Sequence, residues 1–179
     1  LIARSVPFNA EADSLNCAIL STECGPDTPE FELFVKEVAR EMTVKAGQKC
    51  TAIRRAIVPR QHLDAVVEKL KARLAKVVVG DPSVEGVRMG ALASHAQRAD
   101  VAERVALLRQ GAELVCGGDG VAPVGEGTAE GAFFAPTLLL CQRPMDIDVV
   151  HDIEAFGPVS TLMPYDDLDQ ALALAARGK

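Results

Sequence analysis

The chain has 179 residues, 49% hydrophobic and 25% charged, the proportions of a globular domain with one well-filled core. Its formal charge is −6 and it has no basic cluster longer than Arg54-Arg55, so the footprint of a nucleic-acid binder is missing; no stretch reaches the length of a membrane span. The five cysteines, at positions 17, 24, 50, 116 and 141, are odd in number and form no Cys-x-x-Cys pair. This usage argues against a disulfide framework and a metal site and fits the reducing cytoplasm. The chain opens on Leu1 rather than Met, which reads as a piece excised from a longer protein.

In chain order, residues 15–20 form a short apolar run that reads as a buried strand. Thr28 is placed to cap a helix with Pro29 at its first position, and Phe31, Phe34, Val35, Val38 and Met42 recur on one face until Gly47. Residues 52–58 are rich in strand-forming residues and stop at Pro59. Leu63, Val66, Val67, Leu70, Leu74 and Val77 then mark a second amphipathic helix, closed by Gly80-Asp81-Pro82. Ser94 and Gln97 form a capping-box pattern ahead of a third helix carrying Val101, Val105 and Leu108.

Residues 113–116 read as a strand, and the small-residue stretch 117–131 as a surface loop. Gly118-Asp119-Gly120 does not complete a dinucleotide fingerprint, because Pro123 stands where the third glycine belongs. Residues 134–140 and 158–163 are further strands, and Asp166 or Asp167 caps a last helix carrying Leu168, Ala171, Leu172 and Ala175. The alternation of strands and helices predicts an α/β fold, an open and largely parallel sheet with helices on both faces, in one domain spanning 1–179.

Cys50 stands between a helix-length segment and a β-rich one, a junction at which a side chain can face a cleft. A lone cysteine is more often a small core residue. Three other readings of the neighbourhood are bland: Lys49 is adjacent without having to point the same way, Arg54-Arg55 reads as a solvated strand end, and His62, His95 and His151 stand in no motif.

Four runs in order change the weight of Cys50. Gly47-Gln48-Lys49-Cys50, Met89-Gly90-Ala91-Leu92, Phe134-Ala135-Pro136-Thr137-Leu138 and Glu154-Ala155-Phe156-Gly157-Pro158 together resemble the aldehyde dehydrogenase superfamily, over nearly the whole chain. The resemblance implies the thiol-bearing catalytic domain of such an enzyme, incomplete at both ends and without its cofactor-binding domain, and therefore inactive in isolation. It implies Cys50 as nucleophile toward an aldehyde, forming a thiohemiacetal and then a thioester. Glu11, in place of the glutamate of the family's Glu-Leu-Gly-Gly run, becomes the general base for thioester hydrolysis, although Ala12-Asp13-Ser14 replaces the rest of that run. Glu154 and Phe156, two residues apart and hence on one side of an extended backbone, become a clamp on the ribose and nicotinamide of NADP or NAD. Gln97 stands where some members contact the cofactor ribose, a position that its capping role explains equally well.

The spelling from Asn9 to Asn16 and from Lys45 to Arg55 is most similar to a branch of the family found in bifunctional ring-opening enzymes of bacterial phenylacetate degradation. That resemblance implies a semialdehyde carried as a coenzyme A thioester, and a homo-oligomer at full length. Two other classes stay open on the residues alone: a cysteine-dependent acyl-transfer hydrolase, and an assembly module without chemistry.

Overall fold

The computed structural model describes residues 15–118 and 120–178. Among the described residues five strands form one sheet: β1 (Cys17–Ile19), β2 (Arg55–Pro59), β3 (Glu113–Cys116), β4 (Thr137–Leu140) and β5 (Val159–Tyr165). Their spatial order is β1-β2-β5-β4-β3, with four parallel strands and β3 added antiparallel at one edge. The helices are α1 (Pro29–Thr43), α2 (Leu63–Leu74), α3 (His95–Leu108), α4 (Val149–Asp152) and α5 (Leu168–Ala176).

The largely parallel sheet with helices on both faces follows from side chains that alternate along fully buried strands. Ala56 and Val58 of β2, Leu138 and Leu140 of β4, and Leu162 of β5 turn to one face, where Phe31, Val35, Val38 and Met42 of α1 and Val66 and Leu70 of α2 cover them. Ile57, Leu139, Val159, Met163 and Tyr165 turn to the other, beneath Val101, Val105 and Leu108 of α3 and Ala171 and Leu174 of α5. The sheet thus separates two apolar layers. The buried Tyr165 hydroxyl donates to the Leu20 carbonyl at 2.6 Å, tying β5 to the chain just after β1.

Local chemistry sets the helix starts. Thr28 Oγ1 accepts from Phe31 N with Pro29 at the first helical position, Ser94 Oγ accepts from Gln97 N, and Asp167 rather than Asp166 caps α5 by accepting from Gln170 N. Asp166 instead pairs with Arg60 at 2.7 Å.

Several expected boundaries move. Residues 15–20 contribute only Cys17–Ile19 to the sheet, and residues 134–136 run as irregular chain into β4. The first helix ends at Thr43 because the backbone then turns left-handed, and the second ends at Leu74, short of Val77. The stripe on α5 is Ala171 and Leu174, whereas Leu168 and Leu172 are exposed. The described residues of 117–131 are irregular apart from a short turn at Thr128–Glu130, and Gly80 bridges to Val124 among them.

Candidate active site

Cys50 is exposed, on a turn just ahead of β2. The turn is made by three consecutive left-handed residues at the end of α1, with φ of 54° at Lys45, 51° at Ala46 and 70° at Gly47. For a residue with a β-carbon that conformation costs on the order of 1–2 kcal/mol, so the surroundings must hold Lys45 and Ala46 in place. The Ala46 methyl is buried in the core shared with α3 and α5, and Gln48 Oε1 accepts from Ala93 N at 2.9 Å.

Asn16 fastens the same turn from the β1 side. Its Nδ2 donates to the Cys50 carbonyl, and its own carbonyl accepts from Arg54 N at 3.0 Å and Arg55 N at 3.1 Å. Lys49, adjacent to Cys50, directs its ammonium to Glu41 of α1 at 2.6 Å, a shielded pair that makes Lys49 a prop between turn and helix.

Arg54 and Arg55 overturn their reading as a solvated strand end, since they are 4% and 3% exposed. A buried guanidinium needs a partner for its fork of donors. Arg54 Nη2 donates to the Gly47 carbonyl at 2.8 Å, Nη1 to the Gly157 carbonyl at 2.7 Å, and Nε to Glu154 Oε1 at 3.0 Å. Its Cζ also lies 5.4 Å from the centre of the Phe156 ring, within range of a cation–π attraction. Burial pushes the Arg54 guanidinium below its ordinary value, and the Glu154 carboxylate draws it back up.

Arg55 points to other partners: the carbonyls of Leu15, Leu174 and Ala175, and His151 Nδ1 at 3.3 Å. As Arg55 can only donate, His151 Nδ1 is the acceptor there, and Nε2–H donates to the Pro144 carbonyl at 2.8 Å. His151 is a satisfied core histidine, and burial lowers its pKa from the ordinary value. His62 bonds the Thr22 carbonyl beyond the carboxyl end of β2, away from the turn that carries Cys50.

Of the residues singled out from sequence, Glu154 and Phe156 meet on one guanidinium, and that guanidinium also holds the turn presenting Cys50. Gln97 reaches this cluster from α3: its backbone N–H takes the Ser94 cap, but its side chain donates to the Phe156 carbonyl at 3.1 Å instead of closing the box. Glu11 lies outside the described residues. Sequence reading missed Arg54 and Asn16, although a charge inside Ala52-Ile53-Arg54-Arg55-Ala56-Ile57-Val58, apolar on both sides, was a sign of a buried and partnered side chain. The cluster sits at the amino ends of β2 and β5, not at the carboxyl ends where ligands of open parallel sheets usually bind.

Carboxylate and ring suit a nicotinamide dinucleotide, the carboxylate for ribose hydroxyls and the half-buried Phe156 for a flat heterocycle. Among the described residues no group of three or more His, Cys, Asp or Glu is arranged to hold a metal ion.

Fold and cluster together define a thiol-presenting α/β domain. The chain belongs to the aldehyde dehydrogenase family, whose model matches residues 12–178. It is 51% identical over 179 residues to 3,4-dehydroadipyl-CoA semialdehyde dehydrogenase of Aromatoleum evansii, a match covering 99% of this chain and 35% of that protein. Among solved structures, a mutant of aldehyde dehydrogenase C from Pseudomonas syringae in complex with NAD+ and octanal is similar, with a TM-score of 0.77 and 30% identity over 92% of this chain and 32% of that one. Betaine aldehyde dehydrogenase from Staphylococcus aureus in complex with NAD+ gives 0.76 and 27% over 90% and 31%. The chain therefore spans about a third of the length of these relatives.

Proposed function

We propose that the protein containing this chain is an NAD(P)-dependent aldehyde dehydrogenase in which Cys50 is the nucleophile, Glu11 the general base, and Glu154 and Phe156 the cofactor clamp. The observation that carries the reading is the exposed cysteine on a strained turn bound through Arg54 to the Glu154 and Phe156 segment. Cys50 as thiolate adds to the aldehyde carbon, forming a C–S bond and an oxyanion that nearby N–H groups stabilise. The cofactor, when bound, supplies a two-electron acceptor for the hydride that leaves that carbon. Glu11 then takes a proton from water as it attacks the resulting thioester, the C–S bond breaks, and Cys50 is regenerated. The balance is aldehyde, water and NAD(P)+ going to carboxylic acid, NAD(P)H and one proton.

Similarity to a 3,4-dehydroadipyl-CoA semialdehyde dehydrogenase supports a semialdehyde carried on coenzyme A as substrate, and on the resemblance of residues 9–16 and 45–55 we assign it to phenylacetate degradation. Cysteine usage without a disulfide supports a cytoplasmic location, and we take the full-length protein to be a homo-oligomer. An acyl-transfer hydrolase would need a histidine base at Cys50, and the engagement of His62 with Thr22 and of His151 with Arg55 speaks against either in that role.

The test uses the full-length protein and Cys50→Ala, following NAD(P)H formation with CoA-bound and free aldehydes. Wild-type turnover on a CoA-bound semialdehyde, abolished in a folded variant, is the expected result. Equal activity in both forms would remove Cys50 from the chemistry.

A further inference from the structure

Four interactions converge on the side chain of Arg54, and they join two chain segments about a hundred residues apart. From the first segment it takes the carbonyl of Gly47, three residues before Cys50; from the second it takes the carbonyl of Gly157, the carboxylate of Glu154 and the face of Phe156. The segments touch closely, since a β-carbon on Gly47 would meet the Gly157 carbonyl oxygen at 2.1 Å. Both carbonyls accept from Arg54, whose planar fork binds two carbonyls and a carboxylate at once, which a lysine ammonium on a flexible stem cannot reproduce with the same geometry.

We propose that Arg54 is the positioning residue of the site, fixing the nucleophile turn against the cofactor clamp so that the carbon bound to Cys50 and the hydride acceptor are held at reacting distance. The inference rests on the dehydrogenase reading above, in which Glu154 and Phe156 clamp the cofactor. Arg54 touches neither substrate nor cofactor; it acts through Gly47 and Glu154. Its pairing with Glu154 Oε1 at 3.0 Å holds that carboxylate in one orientation. Hydride transfer is sensitive to such placement: a displacement of roughly 1 Å can cost on the order of 10²-fold in rate.

The experiment compares full-length wild type, Arg54→Lys and Arg54→Gln in single turnovers with excess NADP+ or NAD+, reading the amplitude and the first-order rate constant of cofactor reduction separately. A merely structural role lowers the amplitude, which counts folded sites, and leaves the rate constant alone. Mispositioning lowers the rate constant itself, by about 10- to 100-fold in both variants, and weakens cofactor binding measured by fluorescence titration with NADPH or NADH. Should Arg54→Gln not fold, Arg54→Lys and Glu154→Gln carry the test. Rate constants within threefold of wild type overturn the proposal while the dehydrogenase reading stands. A wild type that reduces neither cofactor overturns the reading and this inference with it.

Discussion

The backbones of Gly47 and Gly157 meet so closely that a β-carbon on Gly47 would lie 2.1 Å from the Gly157 carbonyl oxygen and 2.9 Å from the α-carbon of Pro158. Gly47 also has a φ of 70°, so an added side chain is strained by conformation as well as by contact. Gly47→Ala must therefore push the turn bearing Cys50 away from the Phe156 segment. We expect it to abolish turnover of the full-length enzyme and to lower stability by at least about 1–3 kcal/mol, in the range of overpacked sites. Urea denaturation alongside NAD(P)H formation checks both. Retention of wild-type kcat would contradict the close approach.

Asn16 supplies a different tie, through its donation to the Cys50 carbonyl and its own carbonyl's acceptance from Arg54 and Arg55. Asn16→Ala keeps the backbone bonds and removes only the two from the side chain, to the Cys50 carbonyl and, at 3.5 Å, to the Ala52 carbonyl. The expected outcome is a small loss of stability, about 0.5–1.5 kcal/mol, with a larger proportional fall in kcat as the turn loosens. Alkylation of Cys50 by iodoacetamide, followed by mass spectrometry, should change in rate for this variant and stay unchanged for a distant surface substitution.

His151 predicts a pH dependence. It is buried against Arg55 and the Pro144 carbonyl, on the short helix α4, with Asp152 beside it and Arg177 reaching the Pro144 carbonyl from the end of α5. Burial lowers its pKa, the charges of Arg177 and Arg55 add to that, and the Pro144 carbonyl and Asp152 oppose it. The folded protein thus binds the proton less readily than the unfolded chain. Its contribution to stability is present above the ordinary histidine value of about 6.5 and is lost as pH falls below that value toward the lowered folded one. Urea midpoints measured from pH 7.5 down to 5 should fall in wild type and fall less steeply in His151→Gln. Parallel slopes would mean that other groups carry the acid sensitivity.

Thr28 offers a local test of helix α1, whose far end feeds the strained turn. Thr28 Oγ1 accepts from Phe31 N at 3.3 Å and donates to the Gly25 carbonyl at 2.8 Å. Thr28→Ala should cost about 1 kcal/mol, and Thr28→Ser or Thr28→Asp should recover most of it. Thermal denaturation of the three variants checks the ordering, and no loss in Thr28→Ala would place the helix start elsewhere.

Capping and facing were legible in the chain because their causes lie within a few residues. Thr28, Ser94 and Asp167 each accept from a backbone N–H three residues on, and the stripe Phe31, Val35, Val38, Met42 needs only the period of a helix. Arg54 was misread because its partners Glu154 and Gly157 lie 100 and 103 residues away, and an arginine is by default a surface residue. The left-handed run at Lys45 and Ala46 was equally hidden, since neither residue type announces a positive φ and only tertiary contacts keep them there. Gln97 shows a motif half obeyed: its N–H follows the local rule, and its side chain is drawn off by Phe156.

Strands β2 and β5 are neighbours in the sheet although Arg55 pairs with Thr161, 106 residues further along. Such pairings have high contact order, and closing a loop of that size comes late when a chain collapses. Everything that aims Cys50 at the Phe156 segment depends on this one closure. During synthesis the thiol leaves the ribosome long before its counterpart and cannot be seated until β5 has followed. The architecture thereby postpones the meeting of Cys50's turn with the Phe156 segment until β5 has been made, a built-in order of events in which the sheet precedes the cluster.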